Sequence, residues 1–178
     1  SKMLTVAVVI AYASSLGAAL MSTFSGYAII PHLSIAADME GLKDLPNVVF
    51  ELNIPIDIVS TKDDFSKYEI VLAPHLHLIK DDIDNKLIDF ANNGGTVLLS
   101  LFSGYVSESG RVILGGYPGP FKGLVGNWVE DTCDILDDEV QPFTYDGRDY
   151  EAKIVCNVIH NEGSVSLGEF KEDYVEGM

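Results

Sequence analysis

The chain reads as an α/β domain built on a mostly parallel sheet, with hairpins added at the sheet's edge. Three observations predict this. The run Leu4-Thr5-Val6-Ala7-Val8-Val9-Ile10-Ala11 is continuously apolar and rich in β-branched residues, the pattern of a strand covered on both faces. Apolar runs then alternate with helical patterns across short links as far as Phe102, which implies right-handed crossovers within one sheet. Beyond residue 103 the rhythm changes to short β-rich pieces broken by glycine and proline.

Each element follows from its own residues. The Leu4 to Ala11 run is expected at the centre of the sheet. From Tyr12 to Pro31 the composition turns to Ser, Gly and Ala with scattered aromatics, and no period there assigns an element. Asp44 can cap a helix whose first turn accepts Pro46, because proline lacks only an N–H that has no intrahelical partner at that position. Val48, Val49 and Leu52 form its inner stripe, Pro55 ends it, and Ile56-Asp57-Ile58-Val59 follows as a strand. Ile70-Val71-Leu72-Ala73 repeats the strand pattern. Asp81 and Asp82, read as helix caps, precede Ile83, Leu87, Phe90 and Ala91, which share one helical face; Gly94-Gly95 stops that helix. Thr96 to Phe102 is a fourth strand. Arg111 to Leu114, Glu139 to Tyr145 and Tyr150 to Val155 read as strands of edge hairpins, and Tyr145-Asp146-Gly147-Arg148 carries the Asp-Gly turn signal.

Composition narrows the classes of function. A chain of 178 residues, 47% hydrophobic and 21% charged, has the make-up of one ordinary globular domain, here residues 1–178. Its 27 acidic residues against 11 basic ones give a formal charge of -16, so nucleic acid and anionic membranes meet net repulsion and are not expected partners. Cys133 and Cys156 form no CxxC pair and have no histidine cluster beside them, which reads as two buried free thiols rather than a zinc site. The Leu4 to Ala11 run is about half the length that crosses a bilayer, and only Lys2 precedes it where an export signal needs a basic start. The cytoplasm is the expected compartment.

A family resemblance runs from Asn53 to about Asp131. It is carried in order by Asn53-Ile54-Pro55-Ile56-Asp57-Ile58-Val59, Tyr68-Glu69-Ile70-Val71-Leu72-Ala73-Pro74, Gly94-Gly95-Thr96-Val97-Leu98-Leu99, Ser103-Gly104 and Leu114-Gly115-Gly116-Tyr117-Pro118-Gly119-Pro120. The last of these is the specific one, since consecutive glycine and proline constraints fix a loop that few folds make. Through these residues the chain resembles the trimerisation domain of family 42 glycoside hydrolases, the mostly bacterial β-galactosidases, and the tail Phe170 to Gly177 resembles the approach to that module's last strands. The resemblance implies a three-layer, flavodoxin-like or class I glutamine amidotransferase-like fold, lying between a catalytic barrel and a small C-terminal β domain. It also implies a homotrimer. The two catalytic glutamates of the family lie on the barrel, so this chain is expected to be the excised middle piece, reaching galactoside only through that barrel and carrying no catalytic residue, cofactor or metal of its own. Where the family usually has an acidic, tryptophan-bearing loop after the first strand, this chain has the neutral Ala11 to Gly17.

Other constellations in the sequence have simpler accounts. Ser103 follows a strand as a nucleophile does in an elbow, but the elbow needs glycine two residues earlier, where Leu101 stands. His75 and His77 share a side of an extended chain without an evident third ligand, and His32 and His160 have less context still. Ser14-Ser15-Leu16-Gly17 supports the alternative reading, a stand-alone flavodoxin-like domain binding a small ligand or phosphate, but basic residues are absent around it. Asp137-Asp138-Glu139 and Glu172-Asp173 lack the calcium-loop spacing and read as a solvated acidic face. An amidotransferase-like hydrolase would instead use Ser103 or Cys133. For contacts between subunits, Tyr105, Tyr117, Phe121 and Trp128 are the candidates, aromatics near a stiff Gly/Pro loop.

Overall fold

The computed structural model describes residues 6–10, 55–74, 76–136, 139–153 and 155–171. Two compact units divide the chain, Ser1–Phe121 and Lys122–Met178.

In the first unit, β1 (Val6–Ile10) lies between β2 (Ile56–Ser60) and β3 (Ile70–Ala73), and β5 (Thr96–Leu99) extends the sheet in the order β2-β1-β3-β5. All three pairings are parallel. The first apolar run is therefore central, as its two-faced hydrophobicity requires. Val59, Val71 and Ala73 are buried, and they lie in rows on one face because register partners share a face. β4 (Leu78–Ile79) continues the chain after β3 and pairs in parallel with β6 (Val106–Ser107).

One ten-residue helix, α1 (Ile83–Asn92), packs on β5, with Ile83 and Leu87 fully buried. Its C-terminus closes as a Schellman motif: the Gly95 N–H donates to the Phe90 carbonyl and the Gly94 N–H to the Ala91 carbonyl, both at 3.0 Å, with Gly94 at φ 93°. The glycine stop works as expected; the aspartate caps do not. Asp82 stands at the N-cap with φ 59° and makes no side-chain cap bond, and its carboxylate accepts from Asn85 Nδ2 at 2.7 Å instead. Asp81 accepts from Thr61 Oγ1 at 2.6 Å, and this bond, ahead of nearby lysines, holds its carboxyl below the usual carboxylate range. Lys86 on the same helix donates to the Thr61 carbonyl at 2.8 Å, so the turn after β2 is tied to both ends of the α1 entry.

The second unit is strand-built. β7 (Asn127–Asp134) pairs antiparallel with β10 (Val155–Asn161), with an irregularity at Val158/Ile159 that leaves Glu130 unmatched. β8 (Gln141–Tyr145), β9 (Arg148–Ala152) and β11 (Gly168–Phe170) form an antiparallel sheet in the order β11-β8-β9. Asp146 at φ 50° and Gly147 at φ 70° form the two-residue turn of the β8–β9 hairpin, whose twist matches its strands only with both dihedrals positive.

These sheets overturn the expected three-layer flavodoxin-like or amidotransferase-like fold. Among the described residues eleven strands stand against α1, the four-residue α2 (Lys122–Val125) and a 3-10 turn at Gly119–Phe121. The hairpins are not added to the parallel sheet's edge but form sheets of their own. The physical reason lies past residue 103, where no helical period is long enough to cover another parallel strand, and half-polar alternation favours antiparallel pairing with one wet face. Arg111 to Leu114 makes only a single bridge, Val112 to Val106, and β5 ends at Leu99 rather than Phe102. The helix expected after Asp44 lies outside the described residues.

Replacing Leu87 by Ala empties a fully enclosed position between α1 and the sheet. Urea denaturation of L87A should show a loss of about 2–5 kcal/mol.

Candidate functional site

After β5 the chain turns at Ser100–Gly104, and Ser103 and Gly104 tie that turn to the segment beyond β3. Ser103 is fully buried. Its hydroxyl donates to the Ser100 carbonyl at 2.8 Å and accepts from the Leu76 N–H at 3.2 Å, joining the turn to the segment beyond β3. The Gly104 N–H donates to the Leu76 carbonyl at 2.8 Å, and the Tyr105 and Val106 N–H groups both donate to the His77 carbonyl. Ser103 is thus a bracket in the core, not a nucleophile at a surface.

Onto this turn folds the loop Gly115-Gly116-Tyr117-Pro118-Gly119-Pro120. Gly115 and Gly116 have φ 98° and 90°, the Tyr117-Pro118 peptide is cis, and Gly119 at φ 56° starts the 3-10 turn. Two backbones meet here without side chains between them. A Cβ on Gly104 would strike the Pro118 carbonyl oxygen, and a Cβ on Gly119 would strike the Gly104 carbonyl oxygen, both far inside van der Waals contact. Both glycines also have positive φ, so their lack of a side chain is required twice over. Phe121, fully buried, packs its ring edge under Gly104.

Above this contact stands a row of rings. Tyr117 stacks on Phe102 with centroids 6.2 Å apart, and its hydroxyl oxygen accepts from the Phe102 N–H. Tyr105 meets Tyr117 edge-on at 6.0 Å and stacks on His77 at 5.2 Å. On the segment that follows, the Ile113 N–H donates to the Tyr105 carbonyl, and its neighbours Val112 and Leu114 are 54% and 90% exposed. Exposed apolar side chains thus lie on both segments that flank the close contact between Gly104 and Gly119.

The four aromatic candidates separate. Tyr105 is exposed and Tyr117 half-buried on the platform, so the structure brings these two together. Phe121 has no exposed surface and serves the core of the first unit, which corrects its reading as a contact residue. Trp128 belongs to the second unit, where His160 stacks on it at 4.4 Å, Lys122 Nζ lies 5.3 Å over its ring, and Glu130 pairs with His160. Sequence reasoning missed Val112 and Leu114, which it assigned to a strand. It also missed the aromatic face of the β11-β8-β9 sheet, where Phe170, Phe143 and Tyr150 stand in one register row and Tyr145 beside them. The period-two spacing of Phe143 and Tyr145 was the available signal. His75, the Ser14 to Gly17 loop, Asp137-Asp138 and Glu172-Asp173 lie outside the described residues. Among the described residues no three His, Cys, Asp or Glu side chains group as metal ligands do, and no helix is long and apolar enough to cross a membrane.

These features define a class: a module of small sheets that presents exposed apolar side chains around a close approach of two backbone segments. The chain belongs to the β-galactosidase trimerisation domain family, which matches residues 40–178. It is 35% identical over 139 residues to the β-galactosidase LacA of Lactobacillus acidophilus, covering 78% of this chain and 21% of that protein. With the β-galactosidase BgaB of a Geobacillus species it shares 37% identity over 130 residues, 73% of this chain and 19% of that protein. The chain thus spans about a fifth of the length of the curated relatives it matches. Among solved structures, the β-galactosidase from Bacillus circulans sp. alkalophilus superposes with a TM-score of 0.75 at 28% identity, covering 96% of this chain and 25% of that one. The β-galactosidase from Rahnella sp. R3 gives 0.77 at 22% identity, a likeness of fold.

If the Gly104 and Gly119 contact holds the platform, G104A and G119A each lose about 2 kcal/mol or more in chemical denaturation, from forced positive φ and steric conflict together. G123A, whose Cβ meets nothing within 4 Å, should stay within about 1 kcal/mol of the unsubstituted protein.

Proposed function

We propose that this chain is the non-catalytic assembly domain of a longer, cytoplasmic family 42 β-galactosidase and that it joins three copies through the Tyr105–Tyr117 platform. The parent enzyme cleaves β-galactosides on a catalytic barrel carried elsewhere in the polypeptide, and residues 1–178 supply the scaffold as one module. The observation that carries this reading is the exposure of Tyr105, Val112 and Leu114, large apolar side chains on the segments that flank the close Gly104–Gly119 contact. A rigid apolar patch loses little conformational entropy on docking, which is where association free energy is usually spent. Closed three-fold symmetry removes the same patch from water in every copy. Trp128 is a second contact candidate, with His160 stacked on its ring and Lys122 Nζ near its centroid. The cytoplasm fits two cysteines with no disulfide framework around them.

The test is sedimentation of the full-length parent carrying L114D. Leu114 is 90% exposed, so a charge there leaves the fold intact and acts on association alone. Subunit affinity should fall about thirtyfold or more, with the thermal unfolding midpoint of the separated subunit unchanged. A parent that is monomeric before substitution, or an L114D trimer as tight as the original, would defeat the reading.

A further inference from the structure

Cys133 and Cys156 are separated by a long stretch of sequence and meet in the second unit. They are direct register partners across the antiparallel β7–β10 pair. Opposed residues in such a pair have Cα atoms about 4.5 or 5.5 Å apart depending on the hydrogen-bond pattern, and both values fall inside the range of about 4.4–6.8 Å that a disulfide spans. Register partners also project to the same face, so the two Cβ atoms point the same way.

The local pairing is regular. Val155 through Val158 follow one register against Asp131–Asp134, and the irregularity begins only at Val158/Ile159. On the adjoining rung, Thr132 Oγ1 donates to Asn157 Oδ1 at 3.0 Å, which fixes the alignment of the two strands beside the cysteines. Both thiols are free; Cys133 is half-buried and Cys156 is buried.

We propose that Cys133 and Cys156 form a redox-responsive pair that closes into an intramolecular disulfide across β7 and β10 when a disulfide oxidant is present. The co-reactant is a low-molecular-weight disulfide such as oxidised glutathione. Cys133, the more accessible sulfur, loses its proton and attacks one sulfur of the oxidant, expelling one molecule of reduced thiol as the thiolate, which takes up a proton. The Cys156 sulfur then attacks Cys133 Sγ in the mixed disulfide, losing its own proton and expelling the second thiolate. Two protein thiols are oxidised by two electrons, and one oxidant disulfide is reduced to two thiols. Burial, then the neighbouring Cys133, push the Cys156 thiol up. That favours Cys133 as the entry point and Cys156 as the resolving partner. The closed bond ties two strands that are otherwise held by their ladder and side chains, and it restricts the unfolded chain as well.

The experiment treats the purified folded chain with oxidised glutathione. Thiols are counted after denaturation, and intact mass and a non-reducing gel are recorded. The expected product has lost two hydrogens, has no free thiol, migrates as a single chain, unfolds at a higher temperature and returns to its starting mass with dithiothreitol. C156S, which lacks the resolving sulfur, should accumulate one glutathione on Cys133. An unchanged thiol count, a glutathione adduct that persists on the unsubstituted chain, or cross-linking between chains would each overturn the proposal.

Discussion

The contact between the Gly104 turn and the Pro118-Gly119 segment is the constraint on which the first unit's surface depends. It brings two stretches of backbone together at a distance that leaves no room for a Cβ on either glycine. Beneath it Phe121 fills the core, and above it Tyr117, Phe102 and Tyr105 form a continuous row of rings. Ser103 contributes from the other side, using its hydroxyl to bind the turn to the backbone that follows β3. Loosening that contact would disturb the rings with it, because Phe102, Tyr105 and Tyr117 are carried by the same turn and loop.

Charge sets the terms on which such a surface works. Each copy carries a formal charge of -16, so identical chains repel over the range that salt leaves unscreened. Short-range apolar contact has to offset that repulsion, and an aromatic or aliphatic patch does so without adding charge of either sign. The acidic residues of known geometry are consistent with a solvated exterior. Asp57 accepts from Tyr68 and Lys67, and Asp149 from Lys171 and Thr144, bonds that hold both carboxyls below their ordinary range while leaving them exposed. Such exposed pairs orient loops and strand ends more than they stabilise the fold.

Strands and stops with a local cause were legible before any coordinates. The central position of β1, the start of β2, the extent of β3, the Schellman stop at Gly94-Gly95 and the hairpin turn at Asp146-Gly147 each follow from a few adjacent residues. The Gly/Pro loop was visible as a constraint too, though not what it touches. Expectations that relied on distant partners fared worse. Asp81 and Asp82 had the composition of caps, yet one was claimed by Thr61 and the other by Asn85. Phe121 had the size of an interface anchor and became core.

The chain's own residues thus determined its family, its strand-rich second half, the helix stop and the positions at which backbone must turn with positive φ. All of these depend on steric rules acting within a few residues. Only the tertiary structure decided that the later strands form separate sheets, that Gly104 and Gly119 face each other, that Leu114 remains wet and that Cys133 lies opposite Cys156. Those outcomes turn on register and on competition for burial between residues far apart in sequence, and no local pattern carries that information.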